Sequence, residues 1–209
     1  MKLEEMIASV PTHGVFRTGQ LLAGQDTAAN VSRQLDRWCK SGRVLQLRRG
    51  VYAVKATYVK HSPHPFLVAN ILQRASYVSL QSALSYYGMI PEYVPTTTSV
   101  TTKRPERFDT PLGRFEFRHV AKHLFTGFHE IEIGQRLLAL IASPEKALVD
   151  LLYLTPHSDN DTLLRELRMT PHPSFVNQAV LLNAATASAS KKVVRAVERL
   201  LTIWHEEAN

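Results

Sequence analysis

Apolar residues recur at helical spacing at the start of the chain and at strand spacing soon after it. Leu3, Met6 and Ile7 form one helical stripe, so residues 2–9 are predicted to be a helix, stopped by the Pro11–Gly14 segment "PTHG". Thr18 is placed to cap a short second helix, "GQLLAG", with Leu21 and Leu22 inward and Gly24 at its end. Asp26 or Thr27 then caps a third helix that runs to about Lys40. On it Ala28, Val31, Leu35 and Trp38 fall within about 80° of one another and form the expected core stripe. Helix, helix, tight turn and helix is the helix-turn-helix plan. Beyond a Ser-Gly stop the period drops to two. Leu45 and Leu47 alternate with Gln46, and Val51, Tyr52 and Val54 are strand formers. Arg48, Arg49 and Gly50 fall at the bend, where Gly50 is free to take positive φ. A helix-turn-helix followed by this hairpin is a winged helix.

The pattern then changes character. Residues 55–65, "KATYVKHSPHP", are polar and proline-bearing and are predicted to be a linker. In "FLVANILQRA", Leu67, Val68, Ile71 and Leu72 share an apolar face, with Asn70, Gln73 and Arg74 expected on the other. "SLQSALSYYGMIP" is a second helix, capped by Ser79 and stopped by Gly88 and Pro91. Residues 97–120 suggest a hairpin around the turn "DTPLG", and "HEIEIGQRLLALIA" continues as strand. Ser143-Pro144-Glu145-Lys146 is a helix start, and helices follow at about 159–169, 173–186 and 188–206. The last carries a stripe of Val193, Val197, Leu200 and Trp204, widened by Val194 and Leu201. Lys191, Lys192, Arg195, Glu198 and Arg199 are expected to face away, as solvated charge or a basic docking face. The "NAATASAS" run is expected to be a helix end and a connection. The expected fold class is therefore α+β. A winged helix-turn-helix occupies residues 1–60, and a mixed α+β domain with C-terminal helices occupies residues 61–209.

Charge sharpens this division. The formal net charge is +7, and residues 1–60 hold ten Lys/Arg against four Asp/Glu. Such an excess is the electrostatic footprint of a nucleic-acid-binding module. On the third helix Ala29, Arg33, Arg37 and Lys40 lie opposite the core stripe, with Asn30 at the edge. A small residue permits close approach to a groove, Arg suits guanine, and Asn suits adenine. The candidate contacts to double-stranded DNA are Thr27, Ala29, Asn30, Arg33, Arg37 and Lys40, with Arg48 and Arg49 of the wing on phosphates or in the minor groove. No apolar run approaches the roughly 18 residues of a membrane span. The acidic "MKLEEMIASV" is unlike a secretory signal, and the single cysteine allows no internal disulfide, so a cytoplasmic protein is expected.

A winged helix ending in "RRGVYAV", followed by "YVSLQSALSYYGMIPEYVPTTTSVTTKRPERFDTPLGRFEFRHV" and "LIASPEKALVDLLYL", resembles the AbiEi-type antitoxins of bacterial type IV toxin–antitoxin systems. The resemblance runs from about residue 5 to 155. It implies an N-terminal domain that represses its own operon through inverted repeats. It also implies a second domain that counters a nucleotidyltransferase toxin encoded beside it. Because the family is thought to bind inverted repeats cooperatively, the chain is expected to be a monomer in solution that pairs on DNA.

Other chemistry is weaker. His119, His123 and His129 are close in sequence but lack the spacing of converging metal ligands, and His61 and His64 flank a linker proline. Cys39 has no evident base beside it and is expected to be partly buried filler. Asp109, Glu116 and Arg118 distantly suggest a metal-dependent nuclease, although Arg118 stands where lysine would be and Asp109 is expected in a turn. Capping and surface charge account for Glu145, Lys146 and Asp150, and no glycine loop cradles phosphate. No cofactor, metal or catalytic residue is expected, and the chain is not expected to be an enzyme. The alternatives are a plain winged-helix regulator whose second domain dimerises, and a nuclease joined to a DNA-binding module.

Overall fold

Two sheets carry the alternating segments, and helices cover them. The computed structural model describes residues 2–22, 27–59, 62–134, 137–169 and 176–207. In the first region α1 (Leu3–Ser9), α2 (Thr18–Leu21) and α3 (Ala28–Lys40) pack on a three-stranded sheet of order β1-β3-β2, formed by β1 (Val15–Arg17), β2 (Val44–Arg48) and β3 (Val51–Val54). β1 was not expected: three residues are too few to show a period. Its register with β3 continues into Thr18, whose N–H donates to the Gly50 carbonyl (3.1 Å). Thr18 is therefore the first residue of α2 and not its cap; Gln20 accepts from the Arg17 N–H instead (2.6 Å). Gly14 has φ +72°, and a Cβ there would meet the Val59 side chain at 2.7 Å, so only glycine fits this turn. Gly24 and Asp26, offered as helix end and cap, lie outside the described residues, as does His61.

Helices of the first region cover one face of this small sheet: Phe16, Val44 and Val54 join Met6, Leu21, Val31, Leu35 and Trp38 in one core. Ala28 is exposed instead of completing that stripe, because it sits in the first turn beyond the sheet's cover. The alternate positions Val15, Leu47, Val51 and Ala53 are buried too, against the second region. The sheet is thus a filling between two layers. Within the linker expected over residues 55–65, Ala56–Tyr58 form a 3₁₀ turn and Pro65 is already the first residue of the next helix.

The second region is built on a six-stranded mixed sheet of order β6-β7-β5-β4-β9-β8. Its strands are β4 (Ser76–Val78), β5 (Thr96–Thr101), β6 (Glu106–Thr110), β7 (Gly113–His119), β8 (Phe128–Glu132) and β9 (Leu138–Ala142). The hairpin expected over 97–120 is confined to β6 and β7, while β5 runs parallel to β7. The single strand expected over 129–142 is two antiparallel strands, because the Gly134 turn reverses the chain. The helices are α4 (Pro65–Leu72), α5 (Leu80–Tyr86), α6 (Pro144–Leu154), α7 (Asp161–Glu166), α8 (Gln178–Ala187) and α9 (Lys191–Glu207). The chain is thus α+β, with its helices concentrated toward the C-terminus.

Several polar residues expected outside turn inward. On α4, Asn70 accepts from the Leu140 N–H (2.7 Å), so its amide completes the hydrogen bonding of β9. Gln73 is buried and donates to the Arg104 carbonyl (3.1 Å). Most changed is α6. Ser143 caps it as expected, accepting from the Lys146 N–H (3.2 Å). Glu145, Lys146 and Asp150 are buried with it, where surface positions were expected. Lys146 Nζ donates to Asp150 (2.6 Å), whose other oxygen accepts from Tyr77 (2.9 Å) and Ser79 (2.8 Å). Ser79 heads α5, but its hydroxyl serves Asp150 and not the helix. Burial pushes the Asp150 carboxyl up, opposed by Lys146 and the two hydroxyls, and burial also raises the Tyr77 phenol well above its ordinary value. Glu145 accepts from the Asn177 N–H (2.9 Å) and from Ser143 (3.0 Å).

The expected apolar stripe of α9 is buried in the same core. Most of its basic face is engaged within the chain. Lys192 donates to the Tyr153 and Thr155 carbonyls at the end of α6 (2.9 and 2.6 Å), Arg195 pairs with Asp159 (2.7 Å), and Arg199 pairs with Asp161 (3.2 Å). Three of its four cations are thus held by this chain's own groups, while Lys191 is exposed.

Candidate nucleic-acid interface

α3 begins where its sequence says. Thr27 is the N-cap, and its hydroxyl accepts from the Asn30 N–H (3.3 Å). Val31, Leu35 and Trp38 anchor one side in the core, which sets the opposite side toward solvent. Thr27, Ala29, Asn30, Arg33, Arg37 and Lys40 are all exposed. The Arg33 guanidinium donates to the Asn30 amide oxygen (2.8 Å) and lies along the Ala29 carbonyl (3.4 Å), so an amide and a cation are held as one unit on the first turns. Arg37 forms no ion pair with any described residue. Lys40 pairs with Asp36 (2.8 Å), and that hydrogen bond holds its ammonium above the ordinary lysine value. The face keeps a positive excess, concentrated on Arg33 and Arg37.

The wing separates its two arginines. β2 and β3 pair antiparallel with an irregularity between Gln46 and Arg48, and the bend is Arg49-Gly50, with Gly50 at φ +78°. Arg49 is exposed. Arg48 is not presented beside it. Its guanidinium lies 5.4 Å from the centre of the Phe108 ring and 3.7 Å from Glu106, both on β6 of the second region. The expected phosphate contact at Arg48 is thus replaced by a contact within the chain, because β2 is the edge strand that meets β6. Arg17 works at the same seam, donating to the Ile71 carbonyl at the end of α4. Burial, then Arg74 and Arg48, lower its guanidinium pKa. The structure adds one cation the pattern did not single out: Arg43, exposed in the turn from α3 into β2. A cation directly after a Ser-Gly helix stop was the available signal.

The other candidate chemistry does not assemble into a site. Asp109 lies within β6 and not in a turn, across from Arg114, while Glu116 lies across from Arg107. Glu116 is held by Arg107 (3.3 Å) and Arg118 (3.7 Å), so each acid faces an arginine instead of converging with the other on a cation. Among the described residues no group of three His, Cys, Asp or Glu is arranged to hold a metal ion. His119 bonds the Lys103 carbonyl (2.9 Å), and His64 caps α4 by accepting from the Phe66 N–H (3.2 Å). Cys39 packs against the first core, and burial pushes its thiol up, away from the reactive thiolate. Among the described residues no helix is long and apolar enough to cross a membrane.

Residues 11–55 match the family model described as a transcriptional regulator, AbiEi antitoxin. The matched segment runs from the turn before β1 to the residue after β3, and it contains α3 and the whole wing. No curated protein matches the chain.

Proposed function

We propose that this chain is a DNA-binding antitoxin. It represses its own toxin–antitoxin operon through α3 and the wing. Its second region counters a nucleotidyltransferase toxin, and the protein works in the cytoplasm without enzymatic activity. One observation carries the DNA reading: the segment similar to AbiEi regulators is also the segment whose third helix presents Arg33, Arg37 and Asn30 to solvent. In this reading Arg33 and Asn30 meet base edges. Arg37, Lys40, Arg43 and Arg49 meet phosphates, with Thr27 and Ala29 at the close approach of the helix start. The α9 stripe is consumed in the chain's own core, which favours a monomer that pairs on inverted repeats over a permanent dimer.

A mobility-shift titration on the chain's own promoter tests it. Wild type binds with affinity falling steeply as salt rises. Arg33→Ala costs roughly 1–3 kcal/mol of operator binding, and the Arg33→Ala/Arg37→Ala protein, still folded, loses the specific complex. A wild-type shift by that double variant places the docking face elsewhere. Co-expression with the product of the adjacent gene tests the antitoxin arm, because growth must be restored. Light scattering without DNA must report a monomer.

A further inference from the structure

A second concave surface lies away from α3 and is unexplained by DNA binding. It sits where the N-terminal end of α4, α5 and the β6–β7 turn meet, and is open to solvent with a volume of about 450 Å³. That volume lies within the range of small-molecule sites, roughly 300–1,000 Å³. Its walls are unusual for this protein. Phe66 and Tyr86 meet edge to face with centroids 5.7 Å apart, and Tyr86 is half exposed. Tyr93, which also lines the cavity, is 87% exposed, the most exposed large hydrophobic side chain among the described residues. Tyr86 is braced edge-on by Phe66 and by Tyr87 (centroids 5.2 Å apart), whereas Tyr93 makes no ring contact with any described residue, so the cavity offers one braced ring and one uncovered ring to a planar group.

Polar groups narrow the class of ligand. Arg114 is the only charged side chain among the described residues lining the cavity. Asp109 stands across from it in the β-ladder, yet the two do not close an ion pair. Ser85 and Thr97 also line the cavity, and their hydroxyls bond no described residue. Rings for a planar group, one guanidinium for an anion and two hydroxyls with no described partner match a base, a phosphate and a sugar. We propose that this cavity binds a nucleotide, with the base against Tyr93 and Tyr86 and the phosphate on Arg114. Neither an apolar ligand nor a bare anion uses both features. The proposal does not rest on the operator-binding function, since the cavity shares no residue with the α3 face.

Calorimetric titration of the full-length protein with AMP, adenosine and inorganic phosphate tests it. AMP binds saturably, and adenosine and phosphate bind at least about tenfold more weakly, since each keeps only one recognition element. Tyr93→Ala weakens AMP about tenfold, the loss expected for a stacking aromatic. Arg114→Gln brings AMP down to the level of adenosine. Both side chains are exposed, and unchanged thermal melting confirms that the variants fold. Both variants shift operator DNA like wild type, so failure here is separate from failure of the regulatory reading. No saturation by AMP up to about 10 mM, far weaker than the usual cofactor or substrate range, overturns the proposal. So does AMP binding that neither variant changes. Saturation by a short acidic, Phe-bearing peptide but not by AMP assigns the cavity to a protein segment and also overturns it.

Discussion

α3 and α6 each carry charged residues among apolar ones, and the fold uses them in opposite ways. On α3 one stripe is covered, and Arg33, Arg37 and Lys40 remain in water. On α6 every residue from Glu145 to Leu152 is buried, including a lysine and two acids. The difference lies in what surrounds each helix. α3 has a core on one side only. α6 is packed by α5, α8, α9 and β9 together, so its charges must find partners inside the protein. Charge left in water is available to DNA, whereas charge taken inside and fully paired helps to specify how the layers assemble.

The largest effect expected to separate the two helices is at Asp150. Asp150→Ala leaves the Lys146 ammonium buried without its carboxylate and lowers stability by about 3–5 kcal/mol in urea unfolding. Lys146→Met combined with Asp150→Leu recovers part of that loss, because the unpaired charge is gone. If Asp150→Ala alone melts like wild type, the network is not the keystone that its burial suggests.

The seam between the regions comes next. Leu47→Ala opens space where the small sheet meets the second region and costs about 2–5 kcal/mol. For the same reason a fragment of residues 1–60 exposes Val15, Leu47, Val51 and Ala53, and it shows no cooperative transition in thermal melting. A sharp transition in that fragment means that the seam is dispensable.

Adjacent arginines of the wing sharpen the comparison at a single residue step. Arg49→Ala weakens DNA of every sequence alike and reduces the slope of affinity against salt by about one. Its stability stays within about 0.5 kcal/mol of wild type. Arg48→Ala does the reverse: it lowers thermal stability through lost contact with Phe108 and Glu106 and leaves the salt slope unchanged. Equal salt slopes for the two variants would refute the separation.

The smallest effect is electrostatic and pH-dependent. The hydrogen bond from Arg195 holds the partly buried Asp159 carboxyl below its ordinary value. A depressed folded pKa stabilises above the unfolded value, near 4, and that contribution is lost as pH falls through the folded value. Wild type should therefore melt slightly above Arg195→Gln at pH 6, and the gap should narrow steadily as pH falls below about 4. A gap that stays constant as the pH is lowered assigns the effect of Arg195 to packing instead.

Much of this molecule was legible because periodicity and capping are local. The third helix, its Thr27 cap, the Gly50 bend, the Ser143 cap and the α9 stripe all follow from neighbours within a few positions. β1 escaped because three residues show no period. The parallel pairing of β5 with β7 escaped because it joins segments whose order in the chain does not set their order in the sheet. Arg48 was placed on the DNA side because its neighbours could reveal only that it sat at the end of a strand.

By itself, then, the sequence determined the third helix, the two wing strands and the long C-terminal helices, which face of α3 is wetted, and that positive charge gathers in the first 60 residues. Only the tertiary structure decided that Arg48 belongs to the seam, that Asn70 completes β9, and that Lys146 and Asp150 lie inside. The reason is physical: a residue's neighbours along the chain fix the direction in which it points, but whether water or another layer waits there depends on elements far away in sequence.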